Sequence, residues 1–167
     1  MVAGSILPVC IYKGELHFLF SKENDNEKDA KGWADFGGGS EKNETPYQTA
    51  LREGIEESSG FLNTRELVKK GVYKLVHNSY HVFIVKLEYD PQLPLYFNRM
   101  HHFIQENMPQ LLNTTLFEKQ ELKWFSISEM IQRRSEFRSF YQEITDLFVQ
   151  HKIPILRFIK KSKTLKK

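Results

Sequence analysis

Glu53, Glu56 and Glu57 stand at i, i+3 and i+4, with Arg52 beside the first and Glu44 eight residues before that arginine. On a helix this spacing gathers the three carboxylates into one sector of about 100°. Like charges so gathered repel by roughly a few tenths of a kcal/mol per exposed pair, and by more in a cleft unless cations offset them. Just upstream, Gly37, Gly38 and Gly39 form a run in which backbone amides and carbonyls can come close to a ligand. Hard oxygen donors suit Mg²⁺, which commonly takes one or two carboxylates together with substrate phosphates. A glutamate-rich solvated face is the plain reading of three acids on a helix. The glycine run ahead of them points instead to a magnesium–phosphate site made by a glycine loop and an acidic helix.

A helix over residues 45–58 must carry these groups. Thr45 suits the N-cap, Pro46 the first helical position, and Gln48 completes a capping box. Gly60 suits a left-handed residue past its end. At about 100° per residue, Tyr47, Ala50, Leu51, Gly54 and Ile55 form the face that packs, opposite the acids. Strands are predicted at 5–12 and 15–20 around a Lys13-Gly14 turn, and again at 72–76, 81–87 and 121–125. Pro8 lacks an amide donor and predicts an edge position or a strand end. Residues 21–32 read as a polar loop, 91–94 as a break, and 96–108 as a helix inside an excursion. Ser126 resembles a cap for residues 126–134. Phe140, Ile144 and Phe148, four apart, predict a helix over 137–151. The order implies an α/β fold, a mixed sheet with helices packed on it.

The chain has 167 residues, a length for one domain. Its 40% hydrophobic and 13% aromatic content excludes intrinsic disorder. No apolar run reaches the ~20 residues that span a bilayer, and Cys10 is the single cysteine, so no internal disulfide forms. An intracellular protein, cytoplasmic or nuclear and without a membrane partner, is the expectation. The net charge of +3 is unevenly spread: Arg157, Lys160, Lys161, Lys163, Lys166 and Lys167 carry six positive charges, leaving −3 on residues 1–156. We expect a domain over 1–156 and a basic tail over 157–167, a frayed solvated end that also offers attraction for RNA.

Gly38, Glu44 and then Arg52, Glu53, Glu56 and Glu57 resemble the Nudix box, G-x5-E-x7-R-E-U-x-E-E-x-G-U with U apolar. The resemblance covers residues 38–60, and the flanking order of elements is also similar to the Nudix α/β/α sandwich. Three positions depart from the pattern. Gly54 replaces an apolar residue, Ser59 a glycine and Gly60 an apolar residue. Gly54 costs near ~1 kcal/mol of helix propensity against Ala and predicts a close approach to the sheet. The Ser59-Gly60 pair reads as the terminating glycine displaced by one. No carboxylate is touched. The stretch around the box also resembles Nudix proteins of large DNA viruses.

The resemblance implies a Mg²⁺-dependent pyrophosphohydrolase, with Mn²⁺ as an alternative ion, in which water attacks a phosphorus atom. Glu56, Glu57 and the Gly37 carbonyl are then metal ligands. Glu53 is a base that also reaches the metal, Arg52 its holder and Glu44 their support, with Gly38 and Gly39 in the phosphate loop. A later glutamate often assists in this family. Glu118, placed just outside the predicted strand, is preferred to Glu121. The implied substrate is a nucleoside diphosphate linked to another moiety: a nucleotide, a nucleotide sugar, a dinucleoside polyphosphate or capped RNA, the last favoured by the basic tail and making this an mRNA-decapping enzyme. A non-catalytic Nudix-like module that binds nucleotides or RNA is the alternative, although such modules typically lose a box carboxylate and none is lost here. Trp33, Phe36 and Tyr12 read more readily as core than as base-stacking groups. Cys10 reads as a small core residue. Neither His101-His102 nor His77 and His81 has the partners for zinc. The excursion over 78–115 is the natural place for substrate selection.

Overall fold

The computed structural model describes residues 1–26 and 28–161. Strands β1 (Ala3–Tyr12), β2 (Glu15–Glu23), β3 (Trp33–Ala34) and β4 (Phe36–Gly39) come first. Helices α1 (Pro46–Glu57) and α2 (Thr64–Lys69) follow, then β5 (Val72–His77), β6 (Tyr80–Lys86) and α3 (Gln92–Asn107). Two 3-10 turns, Pro109–Asn113 and Thr115–Phe117, lead into β7 (Lys119–Ser126). The chain continues through α4 (Ile127–Gln132), α5 (Gln142–Gln150) and α6 (Lys152–Lys161).

These strands form one mixed sheet of seven in the order β3-β2-β1-β6-β5, with β4 added to β1 and β7 to β2. Only β1 and β6 run parallel; the other pairs are antiparallel. Alternation along each strand feeds two cores. Leu7, Val9, Leu16, Phe18, Phe20, Val82 and Ile84 face the aromatic layer of Phe125, Phe137, Tyr141 and Phe148 under α5 and α6. Ile6, Cys10, Leu19, Phe36, Phe83 and Val85 face Ala50, Leu67 and Phe97 of α1, α2 and α3. The result is the expected α/β/α sandwich, and no helix among the described residues is long and apolar enough to cross a membrane.

Several sequence expectations are corrected. Pro8 lies in the central strand β1, not at an edge, opposite Val85 of β6. Odd positions of β1 bond toward β6, where Val9 accepts from Leu87 and Ala3 donates to Ser79. Pro8 therefore turns its nitrogen to the other side, between Ile6, the last residue paired with β4, and Val9, the first paired with β2. No partner is lost there. Helix α3 begins inside the predicted break, at Gln92, because Pro94 falls in its first turn, where amides have no helical acceptor. Arg157–Lys161 belong to α6, not to a frayed tail, since Ile155 is buried and Lys86 lies 4.3 Å from the Phe158 ring centre. Lys163, Lys166 and Lys167 lie outside the described residues. Helix α5 starts at Gln142, leaving Phe140 exposed while Ile144 and Phe148 are buried.

Candidate metal and phosphate cleft

Helix α1 forms as its local signals dictate. Thr45 and Gln48 make the reciprocal capping box, with Pro46 at the first position. Ser59 and Gly60 both take left-handed backbone, at φ 50° and 78°, which ends the helix and returns the Gly60 amide to the Ile55 carbonyl. Gly54 meets helix α2 more closely than the sheet it was expected to approach: a Cβ there lies 2.5 Å from the Thr64 methyl group and 3.3 Å from Ile6 of β1. The faces divide differently from the expectation, however. Thr49, Ala50, Gly54 and Glu57 are the buried positions of α1, while Tyr47 is exposed and Ile55 lines a cleft.

That cleft encloses about 840 Å³. One wall carries Glu41, Arg52, Glu53, Glu56 and Glu57, and the facing wall carries Met100, Leu116, Phe117 and Glu118. Arg52 organises the open side. Its Nε and Nη2 donate to the two oxygens of Glu44 at 3.0 and 2.9 Å, and its Nη1 donates to Glu53 Oε1 at 2.7 Å and to Glu56 Oε2 at 3.1 Å. These charge-assisted contacts hold the Glu44 carboxyl down at about 2 and raise the already high guanidinium further. Gly38 is needed for this arrangement, because a Cβ there comes within 2.6 Å of Glu53 Oε1.

Glu57, one residue beyond Glu56, meets a different environment. Its side chain is 6% exposed where that of Glu56 is 56% exposed. Its Oε2 accepts from the Gly37 amide at 2.7 Å, and its Oε1 lies 3.1 Å from Lys119 Nζ. Lys119 in turn pairs with Glu23, whose Oε1 also has Arg138 at 3.5 Å. Burial pushes the Glu57 carboxyl up to about 8, against the pull of Lys119. Burial also works to lower the Lys119 ammonium, but Glu57 and Glu23 outweigh it and the net shift is upward. We take Lys119 as charged, since a neutral lysine there would leave Glu57 without a cation.

The predicted site residues are thus distributed. Glu44, Arg52, Glu53 and Glu56 form one network; Gly37 and Glu57 belong to another, sealed by Lys119. Glu118 lines the cleft, whereas Glu121 lies in β7 opposite Lys22. The glycine run is extended backbone rather than a loop. It is strand β4, pairing Gly37, Gly38 and Gly39 with Ser5, Gly4 and Ala3 of β1. Trp33 and Phe36 are core, and Tyr12 stacks on Tyr89 at 3.7 Å between ring centres. Burial pushes the Cys10 thiol up to about 12, as befits an inert core residue. His77 and His102 pair with Glu143 and Glu106.

Lys119 and Glu23 escaped the sequence reading. Strand parity puts Lys119 with Glu121, Lys123 and Phe125, on the face of α5. The register between β2 and β7 shifts at Lys22/Glu23, pairing Glu23 with Lys119 and Lys22 with Glu121. The extra residue, Gln120, turns Lys119 to the face of α1. Glu41, Ile55, Met100, Leu116 and Phe117 also went unnoticed as cleft residues, since only tertiary packing brings them together.

The donor chemistry of the cleft fits a hard divalent ion: Glu53, Glu56 and Glu118 present carboxylate oxygens to one space. Among the described residues no group of three His, Cys, Asp or Glu side chains is already drawn into a ligand sphere.

An α/β/α sandwich with an acidic cleft at the end of a capped helix defines the class of fold. The NUDIX domain family model matches residues 5–148, and the chain belongs to that family. Among solved structures, the Ap4A hydrolase of C. elegans in a binary complex is similar at a TM-score of 0.57 and 16% identity, over 92% of this chain and 98% of that one. A second C. elegans Ap4A hydrolase structure gives 0.55 and 15%, over 93% and 99%. The Nudix hydrolase RenU of M. smegmatis gives 0.52 and 16%, over 89% and 86%. No curated protein matches the sequence.

Proposed function

We propose that this chain is a divalent-metal-dependent Nudix hydrolase cleaving a phosphoric anhydride in a nucleoside diphosphate linked to another moiety. The observation that carries the reading is the cleft in which Arg52 bonds Glu44, Glu53 and Glu56 together and which Glu118 also lines. Glu56 and Glu118 are the groups that would hold Mg²⁺ or Mn²⁺, since Glu57 already has one oxygen on the Gly37 amide and the other against Lys119. Such an ion neutralises diphosphate charge and acidifies bound water. Arg52 takes Glu53 through Oε1, so Oε2 orients the attacking water and accepts its proton. Glu44 braces Arg52 from the other side and keeps that carboxylate in place. Met100, Leu116 and Phe117 supply an apolar wall for the nucleoside end.

The test is product release from dinucleoside polyphosphates, nucleotide sugars, nucleoside triphosphates and capped RNA, with Mg²⁺ or EDTA. Dinucleoside polyphosphates lead the panel because two of the similar structures are Ap4A hydrolases; capped RNA is included for the basic end of α6. Turnover that needs Mg²⁺ and is lost in Glu56→Gln supports the reading. Tight binding of a panel member with no turnover would favour the non-catalytic module.

A further inference from the structure

Helix α1 feeds two ionic networks whose charge balances differ. The buried one is neutral: Glu57 and Glu23 are matched by Lys119 and Arg138. The open one is not: Glu44, Glu53 and Glu56 share the single cation Arg52, with Glu41 and Glu118 nearby on the cleft walls. The bulge at Gln120 is what brings a lysine against Glu57, behind the cleft wall, and the β2–β7 register holds it there. Asn24 fastens the same corner: its amide donates to the Glu118 carbonyl, and its side chain donates to the carbonyls of Phe117 and Leu112. Lys119 is therefore a fixed cation, 2% exposed, within contact of a box glutamate.

We propose that Lys119 is a resident cation of the cleft, supplying at Glu57 the positive charge that a divalent ion would otherwise supply and so reducing by one the divalent ions the chain takes up. The inference rests on the proposed metal-dependent function. Lys119 acts through Glu57, as a positioning residue: it fixes one carboxylate oxygen, as the Gly37 amide fixes the other, and leaves the open network to bind the exchangeable ion. A lysine that serves only as a structural ion pair would leave the ion count unchanged when removed.

The experiment counts bound Mn²⁺ per chain by electron paramagnetic resonance, beside melting temperature with and without Mg²⁺. It compares the wild type, Lys119→Arg, Lys119→Met and the double variant Glu23→Gln/Lys119→Met. The double variant also removes the Glu23 charge, so that Glu57 is the one buried carboxylate left without Lys119 and the loss of stability is smaller. Lys119→Arg retains the wild-type count. Lys119→Met and the double variant gain one Mn²⁺ per chain, and their Mg²⁺-induced rise in melting temperature at least doubles. A gain in the variants with no Mn²⁺ on the wild type supports the proposal while counting against the hydrolase reading. An unchanged count in the folded double variant overturns the proposal, whatever the wild type binds.

Discussion

Glu56 and Glu57 are neighbours in sequence and identical in chemistry, yet one stands in an open cleft and the other is sealed beneath it. Successive helix residues diverge by about 100°, so one faces Arg52 and solvent and the other Gly37 and Lys119. The open network is built for exchange: its acids outnumber its cations, and Arg52 reaches them from a partly exposed position. The sealed network is built for permanence, with each carboxylate matched by a cation. The contrast separates what a site must hold fixed from what it must leave available.

Breaking the sealed side has the largest expected effect. Lys119→Ala leaves Glu57 and Glu23 without their shared cation, and should cost about 3–5 kcal/mol of stability, read as a lower midpoint in urea. Glu53→Gln, on the open side, should leave that midpoint unchanged while lowering kcat by roughly 10²–10⁴; equal losses in both networks would erase the distinction. Gly38→Ala tests the joint between them. Its Cβ would meet Glu53 Oε1 at 2.6 Å, so the carboxylate must move, and a displacement of this order should cost roughly 10²-fold in kcat with little change in fold.

Acid provides the smallest effect and sharpens the open side. Arg52 hydrogen bonding holds Glu44 at about 2, below the ~4.3 of an unfolded glutamate. A depressed carboxyl contributes stability that is complete above the unfolded value and is lost as pH falls toward the folded one. The wild type should therefore lose a small increment of stability between pH 4.5 and pH 2 that Glu44→Gln lacks, measured as the difference between their denaturation midpoints across that range.

How much of this was legible in sequence followed how local its cause was. Helix α1 was readable to its caps, because Thr45, Gln48 and Gly60 act within a few residues of one another. Strands β1, β2 and β6 were readable as apolar runs bounded by turn residues. The nature of the glycine run was not: three glycines read as a loop, and only pairing with β1 makes them strand β4. Lys119 was hidden because a single bulged residue inverts the parity on which strand reading depends. Helix α6 was hidden because the basic residues from Arg157 onward look like a terminus, although Arg157–Lys161 continue the helix that begins at Lys152. The viral character expected from the residues around the box finds no support in the three similar structures named above.

The most direct measurement is hydrolysis of the best panel substrate in ¹⁸O-water with Mg²⁺, followed by mass analysis of both phosphorus-containing products. The expected result is one ¹⁸O atom per turnover, on one product alone, absent with EDTA and with Glu56→Gln. Turnover indifferent to EDTA and to Glu56→Gln, or product carrying no label, would contradict hydrolysis at this cleft.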